Sequence, residues 1–144
     1  MRLKNYTDIP TEQIREIIRV VRPAGISNFD VRVSNYKGRR GRGRAYSNGS
    51  AYHDRACPFI VVRVPTTDKL ARDKGDWRGG GYLKYAIGSR LESLVAILAH
   101  ELRHIWQSTH TKGKVWGARG RFSERDADAY AMQMLRRYRR GELA

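Results

Sequence analysis

The chain has 144 residues, enough for one domain with a single modest core, so we treat residues 1–144 as one unit. Its 29 Lys and Arg residues outnumber 14 Asp and Glu residues, and the formal net charge of +15 indicates an acidic partner. The single cysteine, Cys57, excludes an internal disulfide and a cysteine-based zinc ribbon, so any metal ion must be held by His, Asp or Glu.

The N-terminal segment predicts neither a membrane anchor nor a secretory signal. Residues 1–8 begin with basic side chains but have no apolar segment behind them. Elsewhere, no window approaches the roughly 18 uninterrupted apolar residues that a membrane span needs. We therefore expect a cytoplasmic protein that does not associate with membranes; the sequence does not indicate its oligomeric state.

The first half of the chain predicts one helix and three strands. Residues 10–21 predict an amphipathic helix that ends before Pro23, with an apolar face formed by Ile14, Ile17, Ile18 and Val21. Strands are expected at residues 30–34, 45–47 and 58–65. Residues 68–81 are charged and glycine-rich without periodicity, and they predict a loop.

A basic segment overlaps the first two predicted strands. Residues 31–53 contain no acidic side chain, and they include four closely spaced arginines, Arg39, Arg40, Arg42 and Arg44. Two interpretations fit this charge pattern equally: a solvated hairpin tip, and a flexible arm that contacts phosphates. These four arginines are therefore candidates for nucleic-acid binding.

Residues 89–106 have the strongest helical pattern in the chain, and Ser89 and Glu92 have the spacing of a capping box. One apolar stripe of this helix consists of Leu91, Leu94, Leu98, Leu102 and Ile105. The other side carries mostly small residues together with His100 and His104, one turn apart. Such a face suits a helix that lies against a metal ion rather than against solvent.

The two histidines have the i, i+4 spacing that presents two imidazole nitrogens to one metal ion. Zinc accepts neutral imidazole nitrogen as a ligand. Glu101 follows the first histidine, so its carboxylate can reach a zinc-bound water without binding the metal itself. The pattern predicts a zinc site with His100 and His104 as ligands and Glu101 as the general base.

The H-E-x-x-H motif at residues 100–104 resembles the zincin metallopeptidases. Two branches of that family differ in the third metal ligand. His110 stands where metzincins have their third histidine, but Gln107 replaces the glycine that ends their helix, and no methionine turn is recognisable. SprT-like domains also use a third histidine, which keeps His110 as the alternative ligand.

Residues 122–131 resemble the E-x-x-x-D helix of gluzincins such as thermolysin, through Glu124 and Asp128. We expect Ser123 to be the N-cap of this helix. Both carboxylates share a face with apolar residues, so each needs a partner inside the protein. The resemblance implies that Glu124 is the third zinc ligand and that Asp128 orients His100; in a competing interpretation, both acids pair with arginines.

The resemblance implies a small α+β zincin-like domain with an N-terminal helix, a mixed sheet of three or slightly more strands, an active-site helix and a C-terminal helix that bears Glu124. It also implies a zinc metalloendopeptidase that acts on protein or peptide substrates with Zn²⁺ as its cofactor. In zincins a strand along the cleft edge pairs with the substrate main chain. The candidate residues for this contact are Phe59, Ile60, Val61, Val62 and Arg63. The residues considered for stabilising an oxyanion are Tyr130, Tyr82, Tyr85 and His53.

The charge supports a second class of function, a basic nucleic-acid-binding protein with a structural or vestigial zinc site. A further basic cluster near the C-terminus adds to this support: Arg136, Arg137, Arg139 and Arg140. Glu101 separates the two classes, because hydrolysis requires it and a structural zinc site does not.

Overall fold

A computed structural model describes residues 1–36, 42–46, 58–72, 76–77, 85–110 and 121–142. For residues 42–46, 76–77, 85, 109–110 and 121–123 the backbone alone is described. The elements in chain order are β1 (Leu3–Asn5), α1 (Thr11–Val21), β2 (Asp30–Tyr36), β3 (Arg42–Tyr46), β4 (Phe59–Pro65), α2 (Asp68–Arg72), β5 (Asp76–Trp77), β6 (Tyr85–Ala86), α3 (Arg90–His110) and α4 (Arg121–Arg139). This is a mixed α+β arrangement.

The main sheet has four strands in the order β1-β2-β4-β3. The first three strands of this order are parallel, and β3 runs antiparallel to β4 at the edge. The register pairs Val31 with Ile60 and Val33 with Val62, and all four side chains are almost wholly buried. These β-branched residues therefore form the inner face of the sheet, against which the helices pack.

The N-terminal helix confirms its predicted pattern. All four residues of the predicted apolar face, Ile14, Ile17, Ile18 and Val21, are buried in α1. The helix packs against α3. The spacing of apolar residues thus identified both the helix and the face that enters the core.

The central helix, α3, lies between the sheet and α4. Every residue from Ser93 to Leu102 is buried, because the leucine stripe and the opposite, histidine-bearing face are both covered. The backbone N–H of Glu92 donates to Ser89 Oγ at 3.1 Å, and the Glu92 carboxylate accepts from the N–H of Gly88 at 3.2 Å. Ser89 therefore caps α3 as predicted, while the glutamate reaches one residue further back than in a standard capping box.

The C-terminal helix packs along α3 through small and apolar side chains. Ala127, Ala131, Met134 and Leu135 are all buried. Alanines at this contact allow the two helix backbones to approach closely, which brings residues of the first turn of α4 to the histidine face of α3. The apolar face predicted for this helix is confirmed.

The structure differs from the sequence predictions in four places. Residues 68–81 do not form a single loop: they contain α2 and β5, and Thr67 Oγ1 caps α2 by accepting the N–H of Leu70. The strand β1 was not predicted, because three residues are too few to show a period of two. The C-terminal helix begins at Arg121, so Ser123 lies inside its first turn and is not its N-cap. The central helix continues through His110 rather than ending at residue 106.

The placement of Phe59–Arg63 at a sheet edge is also wrong. The strand β4 lies between β2 and β3, and residues 59–63 are paired on both sides. Their main-chain groups are therefore used within the sheet and do not offer an open edge to a peptide.

Among the helices that the structure describes, none is long and apolar enough to cross a membrane.

Candidate metal centre

Three potential metal ligands meet where α3 and α4 pack together. His100 Nε2 lies 3.1 Å from His104 Nε2. Glu124, in the first turn of α4, places one carboxylate oxygen 3.2 Å from His100 Nε2 and the other 3.1 Å from His104 Nε2. Among the described His, Cys, Asp and Glu residues, these three form the one group compact enough to hold a metal ion.

Asp128 determines which nitrogen of His100 is free to bind a metal. Its Oδ1 lies 3.0 Å from His100 Nδ1, and its side chain is wholly buried one helical turn after Glu124. A carboxylate only accepts hydrogen bonds, so Nδ1 must carry the proton. The lone pair of His100 is therefore on Nε2, which faces His104 and Glu124.

Gln107 does the same for His104. The Gln107 amide nitrogen donates to Asp126 Oδ2 at 3.0 Å, which turns the amide oxygen toward His104 Nδ1 at 2.9 Å. Arg103 holds Asp126 in place through two hydrogen bonds, of 2.7 and 3.3 Å. Because the amide oxygen only accepts, His104 Nδ1 must be the donor and Nε2 again carries the lone pair.

Two bare Nε2 atoms and a carboxylate at these separations require a positive charge between them. Protonated histidines satisfy this requirement, because each Nε2–H can then donate to the Glu124 carboxylate. Burial alone lowers the pKa of His100, but its hydrogen bonds with Asp128 and Glu124 outweigh burial and raise that pKa from 6.5 to about 9. The hydrogen bonds from the two histidines hold the pKa of Glu124 well below its usual range.

The donor set also fits a zinc ion. Ligand atoms about 2.0–2.2 Å from a tetrahedral zinc lie about 3.3 Å from one another. The two Nε2 atoms lie 3.1 Å apart, each has a Glu124 oxygen within 3.2 Å, and one donor atom from each of the three residues lies within 4.8 Å of the others. The side chain of His100 is 4% exposed, whereas those of His104 and Glu124 are 21% and 30% exposed, so the centre is closed on one side and open to solvent on the other.

Glu101 lies beside this centre but outside its group of three donors. Its side chain is buried, and its negative charge contributes to raising the pKa of both histidines.

Some residues that were considered for a role at the metal centre do not contact it or lie outside the described residues. The hydroxyl of Tyr130 donates to the carbonyl oxygen of Val21, so it serves packing between α4 and α1. Of the other residues considered for an oxyanion, Tyr85 lies in β6 with only its backbone described, while Tyr82 and His53 lie outside the described residues. His110 ends α3, and the backbone remains helical through Gln107, so the turn that a metzincin-like third histidine needs is absent there.

The four arginines of the basic segment are not all in the described part of the chain. Arg42 and Arg44 lie in β3, with only their backbone described. Arg39 and Arg40 lie outside the described residues. Their role in nucleic-acid binding stays a prediction.

The support of His104 was not predicted from the sequence. Gln107 was interpreted only as a replacement for a glycine, although it follows His104 by three residues and so shares its helix face. That spacing was the available signal. The partnership of Gln107 with Asp126, 19 residues away, depends on how α3 and α4 pack.

No protein-family model, curated protein or solved structure matches this chain.

Proposed function

We propose that the protein is a zinc-dependent metallopeptidase in which His100, His104 and Glu124 hold the metal and Glu101 is the general base. One observation carries this proposal: two histidines whose Nδ1 atoms are engaged turn both Nε2 atoms toward a carboxylate, at separations of 3.1 to 3.2 Å. Two histidines and one glutamate with an open fourth position are a donor set typical of catalytic rather than structural zinc.

The proposed chemistry assigns a proton-transfer role to Glu101. When bound, zinc activates water and polarises the carbonyl of the scissile peptide bond. The Glu101 carboxylate accepts the proton of the attacking water and later delivers it to the nitrogen of the leaving amine. Asp128 and Gln107 keep the histidine rings fixed while this happens.

The order of elements supports the gluzincin-like form of the proposal. The helix that bears both histidines packs on a second helix that supplies Glu124 and, one turn later, Asp128. This is the arrangement that the E-x-x-x-D resemblance implies. The alternative in which both acids pair with arginines has no support among the described contacts of Glu124, which are with the two histidines.

The edge strand β3 is the better candidate for holding a peptide substrate. It runs antiparallel to β4, its other side is not paired with any described strand, and it contacts α3. A peptide that adds to this edge would have its main-chain groups satisfied by β3. This assignment replaces the role predicted for Phe59–Arg63.

The test is the substitution Glu101→Gln, with the exposed residue Glu12 changed to Gln as a matched control. We expect Glu101→Gln to bind one zinc per chain and to lose cleavage of an unfolded, fluorescently labelled protein by at least 100-fold, the usual contribution of general-base catalysis. The control should keep both properties.

The second candidate function, a structural zinc site in a nucleic-acid-binding protein, gives the opposite expectation. If the unsubstituted protein binds zinc but cleaves nothing, or if Glu101→Gln keeps full activity in a clean preparation, the assignment of Glu101 as the base is wrong.

A further inference from the structure

The two faces of the main sheet differ sharply in composition. The inner face carries the buried β-branched residues that pack against the helices. The outer face includes Lys4 on β1, Arg32 on β2, and Phe59, Val61 and Arg63 on β4, of which Val61 is buried. The three cations are exposed and the phenylalanine is half-buried.

The strand register places basic residues of neighbouring strands next to one another. Lys4 lies opposite Arg32, and Arg32 lies opposite Val61, two residues before Arg63. Residues directly opposite each other share a face, and strands lie about 4.8 Å apart. On the edge strand, Arg42 is the register partner of Arg63. Cations therefore occur at neighbouring positions of the outer face on successive strands.

The cations of this face lack the acidic partners that several cations on or next to the helices have. On α1 and after α4, Arg19 pairs with Glu16, and Arg140 pairs with Glu142. Within the described residues, no acid lies within salt-bridge distance of Lys4, Arg32 or Arg63.

The outer face also carries an aromatic ring and one acidic residue. The guanidinium of Arg32 lies 5.5 Å from the centroid of the Phe59 ring, and this cation–π contact does not neutralise its charge. Asp30 shares the face with Arg32, but it is buried and accepts the N–H of Arg2. The outer face therefore presents a positive charge that the described part of the protein does not neutralise.

We propose that the outer face of the sheet binds single-stranded nucleic acid. Planar guanidinium groups match the geometry of phosphate oxygens, and the exposed part of the half-buried Phe59 ring among them can stack with a base. An acidic peptide would use the charges but not the ring, whereas a duplex would bury its bases away from it. This proposal is independent of the metal centre, because α3 packs on the opposite face of the sheet.

The test compares two triple variants with equal loss of charge. The first changes the three exposed cations of the outer face, Lys4→Gln, Arg32→Gln and Arg63→Gln. The control changes three exposed, acid-paired cations on the helices and after them, Arg15→Gln, Arg19→Gln and Arg140→Gln. Binding of a fluorescein-labelled 20-nucleotide oligothymidine is measured by anisotropy at several salt concentrations.

For the outer-face variant we expect the slope of log K against log salt to become less negative by about 2, since each phosphate contact contributes about −0.7 in single strands. At 0.15 M salt that corresponds to roughly 50-fold weaker binding. The control should bind nearly as well as the unsubstituted protein. Far-ultraviolet circular dichroism and zinc content show whether each variant is folded.

A separate variant, Phe59→Leu, tests stacking. It should weaken binding at least fivefold while leaving the salt slope unchanged, because the ring contributes to base contacts and not to phosphate contacts.

Three results would overturn the proposal. Unchanged binding by the outer-face variant would mean that this face is only solvated or that Arg39 and Arg40 carry the binding. Equal weakening of both triple variants would reduce the effect to net charge. Equal or tighter binding of duplex DNA by the unsubstituted protein would exclude the assignment to single strands.

Discussion

The choice of third metal ligand is tested most directly by comparing Glu124→Ala with His110→Ala. In the structure Glu124 is the acidic member of the three-donor group and lies within 3.2 Å of both histidine Nε2 atoms. Its removal leaves two neutral ligands on one helix, which hold zinc far more weakly than three. His110 lies at the end of α3, beyond a helix that does not turn at Gln107.

The size of the effect follows from linkage. With free zinc at 100 times its dissociation constant, binding stabilises the folded protein by about 2.7 kcal/mol. For a chain of this length about 1 kcal/mol raises the melting temperature by about 3 °C, so zinc should raise it by about 8 °C. We expect Glu124→Ala to lose this zinc-dependent increase and His110→Ala to keep it.

The assay is differential scanning calorimetry with zinc and with a chelator, together with metal content by mass spectrometry. Each variant is compared with itself, because Glu124→Ala also deprives two largely buried histidines of their acidic partner and changes the stability of the metal-free protein. If His110→Ala loses the zinc-dependent increase and Glu124→Ala retains it, the geometry of the third ligand given above is wrong and a third-histidine site replaces it.

Two further substitutions test the support of the site and of its helix. Gln107→Met should weaken zinc binding by about 10- to 100-fold without unfolding the protein, because it removes the acceptor that orients His104 but keeps the side-chain volume. Competition with a chromophoric chelator measures this, and unchanged affinity would show that the amide does not orient the ring. Ser89→Ala should lower the free energy of unfolding by about 1 kcal/mol through loss of the cap of α3, seen in the urea midpoint, with zinc content unaltered. An unchanged midpoint would mean that the hydroxyl contributes nothing to the helix.

Local patterns in the sequence were sufficient for the elements whose signal is contained in one helix. The apolar face of α1 and the inward face of α4 follow from spacing, because a helix repeats every 3.6 residues whatever surrounds it. The pairing of His100 with His104 belongs to the same class, since two side chains one turn apart on a helix are neighbours before any tertiary contact forms.

The strand order was decided by contacts between distant parts of the chain. The β-branched run Ile60, Val61 and Val62 indicated a strand, and this signal was available. It does not say which strands pair with it, because the pairing of β4 with β2 and β3 joins segments that are distant in the sequence. The short strand β1 exists only because β2 offers it a partner.

Some features of the metal centre could likewise be predicted from the sequence, whereas others depend on tertiary packing. The sequence by itself determined the two histidines, the glutamate beside them, and the presence of two acids on one face of a later helix. Only the packing of α4 on α3 decided that Glu124 lies within 3.2 Å of both histidines, and that Gln107 and Asp126 meet behind His104. Helical periodicity specifies the face on which a side chain lies, but the distance between two helices depends on the volumes of all the side chains packed between them.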